Sequence, residues 1–175
     1  MQIPLPLRLY LITLLIGLLG LIAGCDESHQ GSANLAPVPF HSGEECHVCG
    51  MLIEGFPGPK GEAVAADGVR KFCSTAELLG WWRQPENQQS GARLYVHNMA
   101  HSSWDHPDDR HLIDATTAYY VAGVPRPGAM GATLASFAER SDAERMANAE
   151  GGRVLRFSEI DQSVLQGISG DHQHH

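Results

Sequence analysis

An Asp-Gly pair standing between two short apolar runs constrains the fold of this chain more than any other feature. Glu62-Ala63-Val64-Ala65 and Val69-Arg70-Lys71-Phe72-Cys73 flank Asp67-Gly68, the composition of a two-residue hairpin turn. The second run passes straight into Ser74-Thr75-Ala76-Glu77, where Ser caps a helix and Glu three residues on completes a capping box. The helix takes in Leu78, Leu79, Trp81 and Trp82 and stops before Pro85. Ala92–Val96 is the next strand. The order so far is strand, strand, helix, strand.

The second half repeats this order without repeating the sequence. His111–Ala115, Ala118–Gly123 and Leu134–Phe137 read as strands. Ser141 caps a helix over 142–150 that Gly151-Gly152 stops, and Arg153–Phe157 is a closing strand that Ser158-Glu159-Ile160 continues. The expected fold class is α+β, in two similar small halves of β-β-α-β type, approximately 40–100 and 101–165.

The ends of the chain read differently. Arg8 precedes an apolar run, Leu9–Ile22, that is short for a membrane span but suits a signal h-region. The run ends in Leu21-Ile22-Ala23-Gly24-Cys25, which resembles a bacterial lipobox. Residues 1–24 are therefore expected to be a lipoprotein signal peptide and Cys25 the lipidated residue, anchored stably in a bilayer by its several acyl chains. By resemblance to the enteric sorting rule, Asp26 points to the inner membrane. Residues 25–39 read as a flexible tether, 40–165 as the domain, and 166–175, with His172, His174 and His175, as a disordered tail. The chain has twelve basic residues, Arg8 among them, against twenty acidic ones, a balance that argues against nucleic acid.

Setting Cys25 aside leaves Cys46, Cys49 and Cys73, an odd number of thiols in an oxidising compartment. Two of them lie in Cys46-His47-Val48-Cys49-Gly50-Met51. Cys49 and Met51 share one face if the segment is extended, and a thiolate beside a thioether selects Cu(I) over hard cations. Cys73, at a helix N-terminus, reads either as a favoured thiolate or as a small buried strand-end residue. His97, Met99, His101, His106 and His111 crowd one polar stretch without a standard zinc spacing. Met130, between small residues, is either a ligand that reaches a shared pocket or a core side chain.

Two other readings of Cys46 and Cys49 stay open: a thiol–disulfide oxidoreductase and a zinc-binding module. C-x-x-C redox motifs start a helix after a strand, whereas Gly50 and the Pro57-Gly58-Pro59 turn follow here. Haem attachment needs His where Gly50 stands. A Cys46–Cys49 disulfide that turns metal binding off is a further possibility. No catalytic base, nucleophile or phosphate loop is evident, so no enzymatic activity is expected.

Several anchors taken together resemble the NosL family. They are Cys49-Gly50-Met51-Leu52-Ile53-Glu54 with Pro57-Gly58-Pro59-Lys60, Val96-His97-Asn98-Met99 with Trp104-Asp105, Ile113-Asp114-Ala115, Tyr120-Val121-Ala122-Gly123 and Gly128-Ala129-Met130-Gly131. The resemblance implies a lipid-anchored periplasmic Cu(I) chaperone that serves nitrous oxide reductase and works with a membrane ABC-type maturation complex. It implies Cys49, Met51, Met130 and Met99 as copper ligands. Cys46 and His97 are secondary candidates, since Cys46 is not required by the Cys-x-Met core and His97 stands near where many members carry Asn.

Overall fold

The computed structural model describes residues 34–170; the expected signal peptide, the expected lipidation site Cys25 and residues 171–175 lie outside them. The domain is mixed α+β with two antiparallel sheets. β1 (Gly61–Ala65) and β2 (Gly68–Phe72) form the hairpin, closed by a turn at residues 66 and 67. After them come α1 (Thr75–Trp82), the single turn α2 (Pro85–Gln88) and β3 (Arg93–His97). β4 (Leu112–Asp114) completes the first sheet, in the order β2-β1-β3-β4. The second sheet is built from β5 (Tyr119–Ala122), β8 (Ala135–Phe137) and β9 (Arg153–Arg156), with β5 central and β8 and β9 outside. A small hairpin of β6 (Pro127–Gly128) and β7 (Gly131–Ala132) interrupts it in sequence. α3 (Arg140–Glu150) joins β8 to β9, and α4 (Gln162–Gly170) ends the described chain.

β1 is buried along its whole length because both faces of its sheet are covered. α1 covers one face. A Cβ added at Gly61 would stand 2.6 Å from Leu78 Cδ2, so glycine there lets the helix rest directly on the strand. The opposite face carries Lys71, Glu62 and Tyr95 side by side across β2, β1 and β3. The segment 35–40 straps over this polar row. Its Val38 N–H donates to Glu62 Oε1 (2.7 Å), its Phe40 N–H to Asp109 Oδ2 (2.8 Å), and Leu35 O accepts from Tyr95 Oη (2.7 Å). Lys71 Nζ donates to the carbonyls of Val38 and Pro39. Pro37 and Pro39 have no N–H to satisfy, and the donors of the residues between and after them face the sheet. The stretch expected as free tether is thus, over residues 35–39, part of the folded domain.

One apolar cluster joins the two sheets: Phe72, Leu78, Leu79, Leu94 and Val96 meet Tyr120, Leu134, Leu155 and Ile160. A second, under α3, holds Met99, Trp104, Val121, Val124 and Phe137. Residues 157–159 form a 3-10 turn rather than continuing the strand, because the Glu159 carboxylate folds back onto the Arg156 N–H. Helix α4 runs through Gly170, past the point where polar composition suggested a tail, since Val164, Leu165 and Ile168 pack into the main core. Among the described residues no helix is long and apolar enough to cross a membrane.

Candidate metal centre

Residues 44–53 form a closed loop on the edge of the first sheet. A bridge pairs Glu45 with Leu52, Cys46 N–H donates to Met51 O (2.8 Å), and Gly50 N–H donates to Cys46 O (2.8 Å). Gly50 makes this last turn at φ +71°, a conformation glycine adopts without steric cost. His47 N–H then donates to Lys71 O (2.8 Å), which fastens the loop to the outer edge of β2. The contact carries Cys46 and Cys49 to the point where β2 ends and Cys73 precedes α1. Cys46-x-x-Cys49 occupies turns and opens no helix, so the redox-motif context is missing.

Three thiols and one carboxylate converge here. One ligand atom from each of Cys46, Cys49, Cys73 and Glu77 lies within 4.8 Å of all the others. Cys46 Sγ donates to Glu77 Oε2 at 2.8 Å, and Cys73 Sγ donates to the same oxygen at 3.0 Å. Cys49 Sγ is 3.7 Å from Cys73 Sγ. All three cysteines are free; Cys46 and Cys73 are buried and Cys49 is half-buried. Burial, followed by the hydrogen bond to Glu77, raises the Cys73 thiol well above its ordinary range and also raises Cys46. The helix N-terminus does not leave Cys73 a thiolate, because desolvation disfavours the charged form. In this arrangement Cys46 and Cys73 are held as neutral thiols on one shared acceptor, with the Cys49 sulfur against that of Cys73.

Glu77 and Cys73 are the members that sequence reasoning did not join to the site. Ser74 caps α1 as expected, accepting from Glu77 N–H at 3.2 Å. The Glu77 carboxylate, however, turns to the thiols instead of closing a capping box. Its spacing of four from Cys73, a strand-end thiol before a helix, was the available signal.

The methionines are dispersed. Met51 is half-buried in the loop beside Cys49. Met130, 56% exposed at the tip of the β6–β7 hairpin, lines a cavity of about 770 Å³ whose wall also holds Glu77, Ser74 and Arg83. Met99 lies in the apolar cluster under α3, and its N–H donates to Ser136 O. His97 is buried with both ring nitrogens engaged: Nδ1 accepts from Lys60 N–H (3.0 Å) and Nε2 pairs with Asp109 Oδ1 (2.9 Å). Lys60 in turn donates its ammonium to the carbonyls of Phe56, Pro57 and Gly58, which makes the Pro-Gly-Pro loop rigid from within.

A scan against family models matches NosL over residues 37–165. A copper-binding lipoprotein NosL of Stutzerimonas stutzeri is 62% identical over 145 residues, covering 83% of this chain and 76% of the relative. A copper-binding lipoprotein NosL of Achromobacter cycloclastes is 31% identical over 152 residues, covering 84% and 78%. The crystal structure of the copper chaperone NosL from Shewanella denitrificans superposes with a TM-score of 0.70 at 42% identity, covering 73% of this chain and 97% of that one. With its fold, its cysteine loop and these matches in agreement, the chain belongs to the NosL family.

Proposed function

We propose that this protein is a membrane-anchored periplasmic chaperone that carries Cu(I) and releases it by ligand exchange for the maturation of nitrous oxide reductase. The observation that carries the reading is the convergence of three free thiols within one ligand sphere. Soft thiolates select Cu(I), and relatives so similar are themselves called copper-binding. Loading displaces thiol protons, since a metal ligand must be deprotonated, and Glu77, beside two of the sulfurs, can receive one of them while the others pass to solvent. Cys49 is the primary ligand, at the half-buried side from which an acceptor's ligand approaches; Cys46 and Cys73 back it from within. Met51 and the exposed Met130 are the thioethers that complete the site or guide the ion out. Met99 and His97 serve the core in this arrangement.

Lipidation at Cys25 would hold the chaperone at the membrane, with Asp26 favouring the inner one, where an ABC-type maturation complex is the partner. With β4 set aside, which pairs with β3 and so joins the first sheet although it follows residue 100, the matching orders β2-β1-β3 and β8-β5-β9 support reading β1–β2–α1–β3 and β5–β8–α3–β9 as two halves of one plan.

The test is a titration of the reduced full chain with Cu(I) against a competing chelator, repeated with Zn(II). Stoichiometric Cu(I) binding that disappears in Cys49→Ser and weakens in Cys46→Ser and Cys73→Ser is expected. Preference for zinc, or unchanged affinity in Cys49→Ser, would sink the proposal.

A further inference from the structure

We infer that Cys49 and Cys73 form a reversible disulfide that closes the metal site, so that copper uptake follows the thiol–disulfide state of the surroundings. The inference rests on the copper reading of the cluster.

Three observations lead to this pair. The Cys49 and Cys73 sulfurs are 3.7 Å apart across 24 residues of chain, so a bond of about 2.05 Å needs only a small approach of the loop toward α1. Cys49 is the half-buried member, while Cys46, 3% exposed, and Cys73, fully buried, lie behind it, so an external reagent meets Cys49 first. Cys46 and Cys73 both donate to Glu77 Oε2, but only the Cys73 sulfur also lies against the Cys49 sulfur, while the Cys46 N–H and carbonyl are both tied into the loop. The resolving thiol is therefore Cys73, not the C-x-x-C neighbour that spacing alone suggests.

The chemistry balances with a low-molecular-weight disulfide as oxidant. Cys49 Sγ, as thiolate, attacks one sulfur of that reagent; its S–S bond breaks, one thiolate leaves and takes up a proton, and a mixed disulfide remains on Cys49. Cys73 Sγ gives its proton to the Glu77 carboxylate that already accepts its hydrogen bond. It then attacks the Cys49 sulfur, and the second small thiolate leaves and is protonated. The reagent is reduced to two thiols and the protein dithiol is oxidised to one disulfide. Two of the three thiols are then consumed, among them Cys49, the half-buried primary ligand. The buried Cys46 and the neutral thioethers Met51 and Met130 remain, a set that has lost the accessible thiolate on which Cu(I) uptake rests.

The test equilibrates the metal-free full chain with glutathione buffers of graded reduced-to-oxidised ratio, then quenches in acid, alkylates, digests with trypsin and maps disulfides by mass spectrometry. Cleavage after Lys60, Lys71 and Arg83 leaves Cys46 and Cys49 on the fragment ending at Lys60 and Cys73 on Phe72–Arg83. The expected product joins these two fragments and persists in Cys46→Ser. The same oxidised sample is expected to lose Cu(I) binding and to regain it on reduction. A link confined to the fragment ending at Lys60, a link from Cys46 to Cys73, or glutathione adducts alone at every ratio overturns the pairing; should Cys46→Ser fail to fold, fragmentation of the joined wild-type peptides, which places the link on Cys46 or on Cys49, still decides this. Unchanged Cu(I) affinity with the Cys49–Cys73 bond in place overturns its role as a switch. A chain that forms the bond yet binds no Cu(I) when reduced upholds the disulfide and refutes the copper reading, because the map needs no metal.

Discussion

Glu62 is a carboxyl group in the middle of β1 with no exposed surface. One oxygen accepts from Val38 N–H, and the other, Oε2, has no hydrogen-bond partner. Burial raises its pKa from an ordinary value of 4.5 to about 7, against the opposing pull of the Val38 N–H and of Lys71. The native state therefore holds a proton that the unfolded chain has lost between those two pH values. The sign is fixed by linkage: the stability of the protonated form is fully present below pH 4.5 and is lost as pH rises through about 7. At ~1.4 kcal/mol per pH unit, the loss over this window amounts to about 3 kcal/mol. Glu62→Gln keeps the acceptor for Val38 and cannot ionise. Its new amide N–H replaces an unpartnered oxygen and costs roughly 1–3 kcal/mol at every pH. The assay is urea unfolding of the metal-free chain, followed by tryptophan fluorescence between about pH 4.5 and 8.5. Subtracting the wild-type curve from the variant's cancels every other titration. The difference is expected to move by about 3 kcal/mol in favour of the variant across the window and then to level off. A difference that stays flat with pH would mean that Lys71 and the strap already neutralise the carboxylate, and the burial argument would be refuted.

Three further outcomes are expected. His97→Ala removes the acceptor for the buried Lys60 N–H and the partner of Asp109, and should cost about 2–4 kcal/mol of stability by chemical unfolding while leaving Cu(I) affinity unchanged; a large loss of affinity in a folded variant would restore His97 as a ligand. Glu77→Gln should leave the melting temperature nearly unchanged and weaken Cu(I) binding about 10–100-fold in a chelator competition; equal affinity would free the carboxylate of any role in the site. Gly152→Ala puts a Cβ 2.5 Å from Ala122 O at φ +107°, so destabilisation of at least about 2 kcal/mol is expected in urea, and a neutral result would show that the β5–β9 end yields easily.

The elements with strong local punctuation were legible in the sequence. The β1–β2 hairpin, the Ser74 cap and the Gly151 stop each rest on a conformational preference of a few residues and each forms, although the hairpin turn falls at residues 66 and 67, one earlier than Asp67-Gly68, and α3 starts at Arg140 behind Glu139, ahead of the expected Ser141 cap. The metal centre was legible only in part. Cys46 and Cys49 announce themselves by spacing, but Cys73 and Glu77 each had a sufficient local explanation, a strand end and a capping box. What unites the four is the docking of the loop on the β2 edge through His47 N–H and Lys71 O, a tertiary contact with no local signature. His97 shows the converse. In a row of histidines it looks like a ligand, yet it shares a face with Tyr95 in β3, and that alternation places it under the strap as an interior acceptor. The strap itself was hidden by composition, because its bonds use backbone groups and any sequence of small and proline residues can supply those.

The strap also couples closure of the chain to a proton. Its contacts span 60 residues from Leu35 to Tyr95 and 69 from Phe40 to Asp109. A chain synthesised or exported N-terminus first presents this segment long before its partners exist. Closing loops of that length is entropically costly, and non-local pairing is slow. Until the strap closes, the polar row of Lys71, Glu62 and Tyr95 is open to water on the face away from α1. A Glu62 still in water has an ordinary carboxylate pKa, so closure of residues 35–40 over it and uptake of its proton are one coupled event.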